Sequence, residues 1–207
     1  MLERGLIMKE RKRIEEIERA LFLIDMNIGF CEEGALADPS IKEIVPNIIP
    51  IIREILEKGE GFFVVNDKHT KDSVELKRYP EHCMGDKESK TIKELAIYEE
   101  YANKVFYKNS TCALFAPGVI ETLLEMTNLK QVIITGCCTD ICIQNFAISL
   151  RNFFDELNMD IEIIVPKDAV ETYNIPNIHD RKENNERAYT VMENTGIKLV
   201  KTMKGGI

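Results

Sequence analysis

The sequence lacks any apolar run close to the roughly 20 residues that a membrane-spanning helix requires. A signal peptide is also missing, because the charged run Lys9–Arg13 directly follows the apolar residues Leu6–Met8. Basic residues are in deficit, with 27 lysines and arginines against 35 aspartates and glutamates and a net charge of -8. This balance argues against a nucleic-acid surface. We therefore expect a cytoplasmic protein that binds neither nucleic acid nor membrane.

The cysteines contain no pair of C-x-x-C motifs, which argues against a structural zinc ribbon. A disulfide framework is also disfavoured in a chain of this length that has no secretory signal. Each thiol is therefore interpreted by its own context. The six are Cys31, Cys83, Cys112, Cys137, Cys138 and Cys142.

Short apolar runs recur along the chain, and most of them end in a polar or charged residue. Such runs are typical of strands buried on both faces of a parallel sheet. Helical periodicity occupies the intervals 40–58, 88–101, 117–127, 140–157 and 180–195. The alternation predicts an α/β protein, a three-layer α/β/α sandwich with a mostly parallel six-stranded sheet. The predicted strands are 20–25, 61–65, 104–107, 131–135, 161–165 and 197–200.

Residues 1–19 are highly charged, and Ile14 and Ile17 give them only a thin apolar stripe. They predict a charged N-terminal helical extension that lies on the surface or across a partner subunit, and we expect a homo-oligomer. Residues 20–207 are predicted to form a single domain, which is enough chain for a full core.

Cys142 lies just beyond a predicted strand, where open parallel sheets bind their ligands. Thr139 or Asp140 can cap the helix that follows, which places Cys142 in its first turn. The free amides and the helix dipole there favour a thiolate and could bind an oxyanion. An arbitrary cysteine is more often a small buried apolar residue, but this position favours a nucleophile.

Asp25 and Lys108 end two other predicted strands, so they can meet Cys142 at one edge of the sheet. The carboxylate would take the thiol proton, and the ammonium would stabilise the thiolate. Taken singly, each is more often a cap or a surface charge. Together the three form a coherent set of acid, base and nucleophile.

Asp67 and His69 alternate on an extended segment, so their side chains point the same way. Glu75 and His82 follow downstream. His69 and His82 are two of only three histidines in the chain. Two histidines with carboxylates suit zinc, manganese or iron. The alternative is a polar surface loop with unrelated histidines.

Four blocks in order carry a family resemblance over about 20–201. They are Leu23–Leu36, Asp67–His69 with Tyr79–Cys83, Val105–Lys108 and Gly136–Ile143. In these blocks the chain resembles the nicotinamidases, a group of isochorismatase-like cysteine hydrolases. The resemblance implies the isochorismatase-like hydrolase fold. It also implies the conversion of nicotinamide to nicotinate and ammonia through a thioester, a step of NAD salvage.

The resemblance also implies roles for individual residues. Asp25, Lys108 and Cys142 would be the catalytic triad. The backbone amides of Cys138 and Cys142 would form the oxyanion hole, next to a cis peptide between Cys137 and Cys138.

A metal and a substrate pocket follow from the same resemblance. It implies one divalent ion, zinc with manganese or iron as alternatives, that binds the pyridine nitrogen. The implied ligands are Asp67, His69, Glu75 and His82, and the aromatic residues that flank the substrate ring are Phe30 and Tyr79.

Three departures from the family pattern leave other interpretations of the function open. Asn27 and Gly29 replace the usual glutamine and aspartate, and Cys138 replaces alanine. An amidase acting on another small amide, carbamoyl or ureido substrate is the nearest alternative. A non-catalytic binding protein, or a redox sensor that uses the cysteines at 137, 138 and 142, would belong to a different class. His179 matches the family's C-terminal region, where we assign no catalytic role.

Overall fold

A computed structural model of the chain describes residues 10–203. In that part of the chain all strands join one seven-stranded sheet, and every strand pair is parallel. The strands are β1 (Arg19–Ile24), β2 (Gly61–Asp67), β3 (Lys104–Lys108), β4 (Gln131–Cys137), β5 (Glu162–Pro166), β6 (Val170–Glu171) and β7 (Lys198–Val200). Their order is β3-β2-β1-β4-β5-β7, and β6 pairs with β4.

Helices and short turns connect the strands. The α-helices of residues 10–203 are α1 (Ile28–Cys31), α2 (Val45–Glu57), α3 (Gly85–Glu88), α4 (Lys93–Glu99), α5 (Val119–Glu125), α6 (Gln144–Glu156) and α7 (Arg181–Asn194). Short 3-10 stretches add Ile14–Glu16, Pro39–Ile44, Val74–Lys77, Ala113–Phe115 and Lys167–Ala169. A wide π-type turn, Thr139–Ile143, runs directly into α6. No helix in the described part of the chain combines the length and apolarity that crossing a membrane requires.

Alternate residues of β1 pack into two separate cores, one on each face of the sheet. Phe22 and Ile24 belong to the core that α5, α6 and α7 cover, whereas Leu21 and Leu23 belong to the core that α2 and α4 cover. Burial on both faces explains why the strand is an unbroken apolar run. The predicted three-layer architecture is therefore confirmed.

One detail of the predicted sheet is wrong, because it has seven strands rather than six. The additional strand, β6, contains only Val170 and Glu171, which pair with Gly136 and Cys137 at the end of β4. Two residues are too few to show a periodicity that a sequence pattern could reveal.

The helix expected over 1–19 falls partly outside the described residues, which begin at 10. Over 10–18 the chain is helical only in the 3-10 turn Ile14–Glu16. The Lys12 amide donates to Gly59 O, and the carboxylate of Glu60 accepts from the amides of Glu18 and Arg19. These bonds hold the segment as an extended lead into β1. The expected self-association and the domain boundary stay predictions.

The helix expected over 88–101 is shortened to α4, because α3 ends at Glu88 and the residues between the two helices are not helical. Between them the Ile92 amide donates to Met26 O, and Thr91 forms a β-bridge with Asn27. These tertiary bonds hold the intervening residues in an extended conformation, against the helical periodicity of the sequence.

Four strand ends meet at one edge of the sheet. Ile24 is in register with Val65 on one side and Gly136 on the other, and Asp67 is in register with Lys108. The residues that follow or end these strands therefore face a common space at the carboxyl edge.

Gly136 allows the close contact between β4 and β1. Its φ is +115°, and a Cβ placed there would lie 1.9 Å from Ile24 O. We expect Gly136→Ala to lower the free energy of unfolding by more than about 3 kcal/mol. Gly85 is the matched control, because its φ is also positive at +66° but no atom lies within 4 Å of an added Cβ. Gly85→Ala should cost about 1 kcal/mol, and equal urea midpoints for the two variants would contradict this account.

Candidate active site

A buried lysine connects three of the strand ends. Lys108 Nζ lies 2.9 Å from Asp25 Oδ2, 2.9 Å from Asp67 Oδ1 and 3.6 Å from Cys142 Sγ. Burial lowers the pKa of Lys108, but the charges of the two carboxylates raise it by more than burial lowers it. The resulting pKa is well above the usual value. The side chain is therefore an ammonium, and the structure brings the predicted Asp25, Lys108 and Cys142 into one cluster.

Asp25 occupies an unusual backbone position directly after β1. Its φ is +52°, in the left-handed region that non-glycine residues seldom adopt, and its amide donates to Val65 O at 2.9 Å. Burial raises the pKa of the Asp25 carboxyl, Lys108 opposes that rise, and the balance is about 6. A carboxyl that titrates near neutrality beside a thiol suits a proton acceptor.

Cys142 lies in the turn Thr139–Ile143 and is only 5% exposed. The expected capping is wrong, because the residue before this turn is Cys138 and its side chain makes no cap hydrogen bond. Asp140 instead accepts from Thr172 Oγ1 at 2.6 Å and pairs with His179 Nε2 at 2.8 Å. Long-range bonds to the chain after β6 engage both Asp140 oxygens, whereas Thr139 Oγ1 is buried without a hydrogen-bond partner. The Cys137–Cys138 peptide is cis, as the resemblance implied.

The surroundings of Cys142 do not favour a resting thiolate. Burial raises the pKa of the thiol well above its usual value; Lys108 lowers it, and Asp25 and Asp67 raise it again. The lowering expected from the helix N-terminus is outweighed by desolvation and by two nearby carboxylates. In the resting protein the thiol is neutral, and the negative charges that balance Lys108 belong to the carboxylates.

The four predicted metal ligands lie together. One ligand atom from each of Asp67, His69, Glu75 and His82 falls within 4.8 Å of all the others, and all four residues are buried. His69 Nε2 and His82 Nε2 lie 2.9 Å and 3.2 Å from Asp67 Oδ2. Glu75 Oε1 is 3.9 Å from His69 Nε2.

The outer contacts of the histidines orient this group. His69 Nδ1 lies 2.7 Å from Asn109 Oδ1, and His82 Nδ1 lies 2.7 Å from Pro80 O. Oxygen acceptors at Nδ1 fix the orientation of both rings and leave Nε2, the atom that would bind a metal ion, facing the carboxylates. Two imidazole nitrogens and two carboxylates arranged in this way fit a divalent cation such as zinc.

Asp67 joins the two clusters, because each of its oxygens serves one of them. Oδ1 contacts Lys108, and Oδ2 contacts His69 and His82. Burial alone would raise the pKa of Asp67, but Lys108 and the histidines hold it well below the usual range. Asp67 is therefore an ionised bridge between the thiol centre and the histidine group.

A pocket with about 430 Å³ of empty space, its open mouth included, lies over both clusters. At its polar end are Cys138, Cys142, Asp67, Glu75 and His82. Phe30 and Tyr79, the two predicted aromatic flanks, line its walls. Their ring centroids lie 5.5 Å and 6.2 Å from that of His82.

Other residues of the pocket were not predicted from the sequence. They are Leu36, Thr111, Ile141 and Tyr173. Tyr173 follows the two-residue strand β6, so no pattern in the sequence places it near the other residues. Leu36 and Ile141 lie inside the Leu23–Leu36 and Gly136–Ile143 blocks, and this membership was the available signal for both.

Comparison with known proteins gives a consistent family. The family model of the isochorismatase domain matches residues 19–202. An uncharacterized isochorismatase family protein of Bacillus subtilis, YaaI, is 23% identical over 87% of this chain and 92% of its own length. Nicotinamidase 1 of Arabidopsis thaliana is 24% identical over 79% of this chain and 72% of its own length.

Solved structures show the same fold. The nicotinamidase PncA of Bacillus subtilis has a TM-score of 0.74 and 25% identity, covering 89% of this chain and all of that one. The pyrazinamidase/nicotinamidase of Streptococcus mutans has a TM-score of 0.74 and 24% identity over 88% of this chain and all of that one. The pyrazinamidase of Pyrococcus horikoshii, solved in complex with zinc, has a TM-score of 0.67 and 24% identity over 88% of this chain and 98% of that one.

Lys108 should matter far more for stability than another lysine of the same strand. Lys108→Met leaves Asp25 and Asp67 as buried carboxylates without their cation, and we expect a loss of about 3–5 kcal/mol. Lys104→Met is the matched control, because Lys104 is exposed and pairs with the exposed Glu125, with a further contact to Thr122 Oγ1. It should cost less than about 1 kcal/mol. Urea unfolding at neutral pH measures both, and equal losses would refute the central role of Lys108.

Proposed function

Since this chain belongs to the isochorismatase family and is an enzyme of that family, we propose that it is a cysteine amidohydrolase that converts nicotinamide to nicotinate and ammonia. One observation carries the proposal. The cluster of thiol, ammonium and carboxylate shares Asp67 with a group of two histidines and two carboxylates, and both clusters open into one aromatic-walled pocket.

Acylation uses the thiol cluster. Asp25 takes the proton of the Cys142 thiol as the sulfur attacks the carboxamide carbon. The amides of Cys138 and Cys142 stabilise the oxyanion of the tetrahedral intermediate. Asp25 then gives the proton to the departing nitrogen, and ammonia leaves as the thioester forms. Lys108 stays protonated throughout and limits the electrostatic cost of the thiolate.

Deacylation returns the enzyme to its starting state. A water molecule loses a proton to Asp25 as its oxygen attacks the thioester carbon. The tetrahedral intermediate collapses, the sulfur leaves, and the proton on Asp25 returns to Cys142. The water supplies the oxygen of the new carboxyl group, whose remaining proton passes to ammonia or solvent, so the products are nicotinate and ammonia in its ammonium form.

We propose that Asp67, His69, Glu75 and His82 hold one divalent ion, with zinc as the first candidate and manganese or iron as alternatives. The support is the chemistry of the donor set and the acceptors that face the Nδ1 atoms. A bound ion would supply a Lewis acid that accepts the pyridine nitrogen of the substrate. Phe30 and Tyr79 would then pack against the ring and exclude water from it.

The substrate is supported by two kinds of observation. Aromatic residues line the pocket together with three of the proposed metal ligands, Asp67, Glu75 and His82. Aromatic walls suit a flat ring, and a metal ion at these ligands suits a basic ring nitrogen. Several structural relatives are named nicotinamidase or pyrazinamidase. The principal experiment is ammonia release from nicotinamide, with and without a chelator. Release from an N-carbamoyl amino acid but not from nicotinamide would refute this substrate in favour of a ureido one.

Replacing the nucleophile should abolish turnover. We expect Cys142→Ala to lower kcat for ammonia release by at least about a thousandfold while nicotinamide binding persists. Cys112→Ala is the matched control, because Cys112 is also buried but its thiol faces Asn145 O and Ser149 Oγ. Full turnover by Cys142→Ala would show that another group is the nucleophile.

Activity should depend on the ionisation of Asp25. The carboxyl must be ionised to accept the thiol proton, so activity requires a pH above its pKa of about 6. We expect kcat/KM for nicotinamide to fall about tenfold per unit as the pH drops below that value. A profile that stays flat from about pH 8 to 5, with the protein still folded by circular dichroism, would exclude Asp25 as the base.

Metal content should depend on the histidine group. We expect His82→Ala to lower the affinity for zinc by about 10- to 100-fold and to weaken nicotinamide binding. Glu81→Gln is the matched control, because this neighbouring carboxylate is exposed and outside the group. Elemental analysis after dialysis measures the bound zinc, and an unchanged content in His82→Ala would refute its role as a ligand.

A further inference from the structure

His179 packs against Tyr173, which lines the pocket, and takes no part in the histidine group. Its ring stacks on Tyr173, with centroids 3.9 Å apart and planes inclined by 17°. His179 Nε2 lies 2.8 Å from Asp140 Oδ2, and Nδ1 lies 3.0 Å from the backbone oxygen of Tyr173. Since an oxygen acceptor holds each edge of the imidazole, the ring has one orientation, and the tyrosine ring packs flat against it.

Asp140 ties this stack to the turn that carries Cys142. One carboxylate oxygen contacts His179, and the other accepts from Thr172 Oγ1 at 2.6 Å. Thr172 directly precedes Tyr173, and its own backbone oxygen accepts from Arg181 Nε at 2.9 Å. Tyr173 is therefore fixed from both sides of its backbone as well as across its ring.

Tyr173 also separates two cavities. It lines the pocket over Cys142, and it lines a second open cavity with about 490 Å³ of empty space. Leu36 is the other residue shared by the two. The outer cavity continues along Asp38 and Ile175. We expect removal of the Tyr173 ring to open the pocket toward the outer cavity.

We propose that Tyr173 is a specificity-determining wall that restricts the pocket to single-ring aromatic amides, and that His179 is a positioning residue that holds this wall through Asp140. The substrate class rests on the proposed amidase function. The wall itself rests on the stack of Tyr173 on His179, the contacts of the two His179 ring nitrogens, and the position of Tyr173 in the lining of both cavities. No step of the amide hydrolysis uses His179.

Two amides of different length test the wall. Nicotinamide has one ring, and quinoline-3-carboxamide is the same amide extended by a fused benzene ring. We expect Tyr173→Ala to lower kcat/KM for nicotinamide about tenfold and to raise the ratio of fused-ring to single-ring kcat/KM at least about tenfold. Ile175→Ala is the matched control, because this residue of the same loop lines only the outer cavity. A ratio that is the same in both variants would overturn the proposal.

The positioning role of His179 has its own pattern of variants. His179→Ala should shift the ratio in the same direction, mainly through KM and with kcat changed by less than about threefold. Asp140→Asn keeps an acceptor for His179 and should retain the wild-type ratio, whereas Asp140→Ala should not. If His179→Ala and Asp140→Ala lower only thermal stability and leave the ratio unchanged, His179 is structural and the proposal fails.

A measurement without substrate separates this proposal from the amidase function. The rate of Cys142 alkylation by iodoacetamide, followed by peptide mass spectrometry, reports access past the wall. We expect Tyr173→Ala and His179→Ala to react several-fold faster than the wild type and Ile175→Ala. If the wild type releases no ammonia from nicotinamide, the proposed function fails, and the alkylation rates alone decide about the wall. Unchanged rates and ratios in an active wild type would overturn the wall and leave the function standing.

Discussion

The buried ammonium of Lys108 is the constraint on which the site depends. An unpaired charge in this position would cost several kcal/mol, so two carboxylates must lie within contact distance of it, and Asp25 and Asp67 do so at 2.9 Å each. Asp25 follows β1 and Asp67 ends β2, and both carboxylates reach Lys108 on β3 because the three strands are parallel and in register. Charge balance and strand register therefore support each other. Cys142 lies beside these three charged groups, which determine the electrostatic potential at its thiol.

Asp67 makes the two halves of the site interdependent. The same carboxylate balances Lys108 through Oδ1 and orients the histidine pair through Oδ2. A change in the charge of the histidine group would alter the pairing of Lys108, and through it the proton affinity of Asp25 and Cys142. The division of the negative charge also explains why the thiol is neutral at rest: two nearby carboxylates already balance the ammonium.

Much of the fold and the site could be predicted from local pattern. Burial on both faces produces the apolar runs of β1, β2, β4 and β5, and the more exposed β3 and β7 were recognisable as shorter apolar runs, whereas β6 has only two residues and was not predicted. Asp25, Asp67 and Lys108 directly follow or end such runs, whereas Glu75 and His82 lie in the long connection between β2 and β3 and were predicted from their residue types and the family resemblance. Over 10–18 the helix expected near the N-terminus is only a 3-10 turn, and the cap expected from Thr139 or Asp140 was wrong. Bonds to the distant residues Gly59 and Thr172 engage Lys12 and Asp140 instead.

The sequence by itself determined the chemistry available to this protein: one thiol after a strand, a lysine and two aspartates at neighbouring strand ends, and two histidines beside carboxylates. Tertiary structure decided what these groups are at rest and what surrounds them. It raised the pKa of Asp25 to about 6 and that of Cys142 above its usual value, and it placed Tyr173 in the pocket wall with His179 stacked on it. These properties depend on desolvation and on distances between residues far apart in the chain, and no local pattern of residues encodes either one.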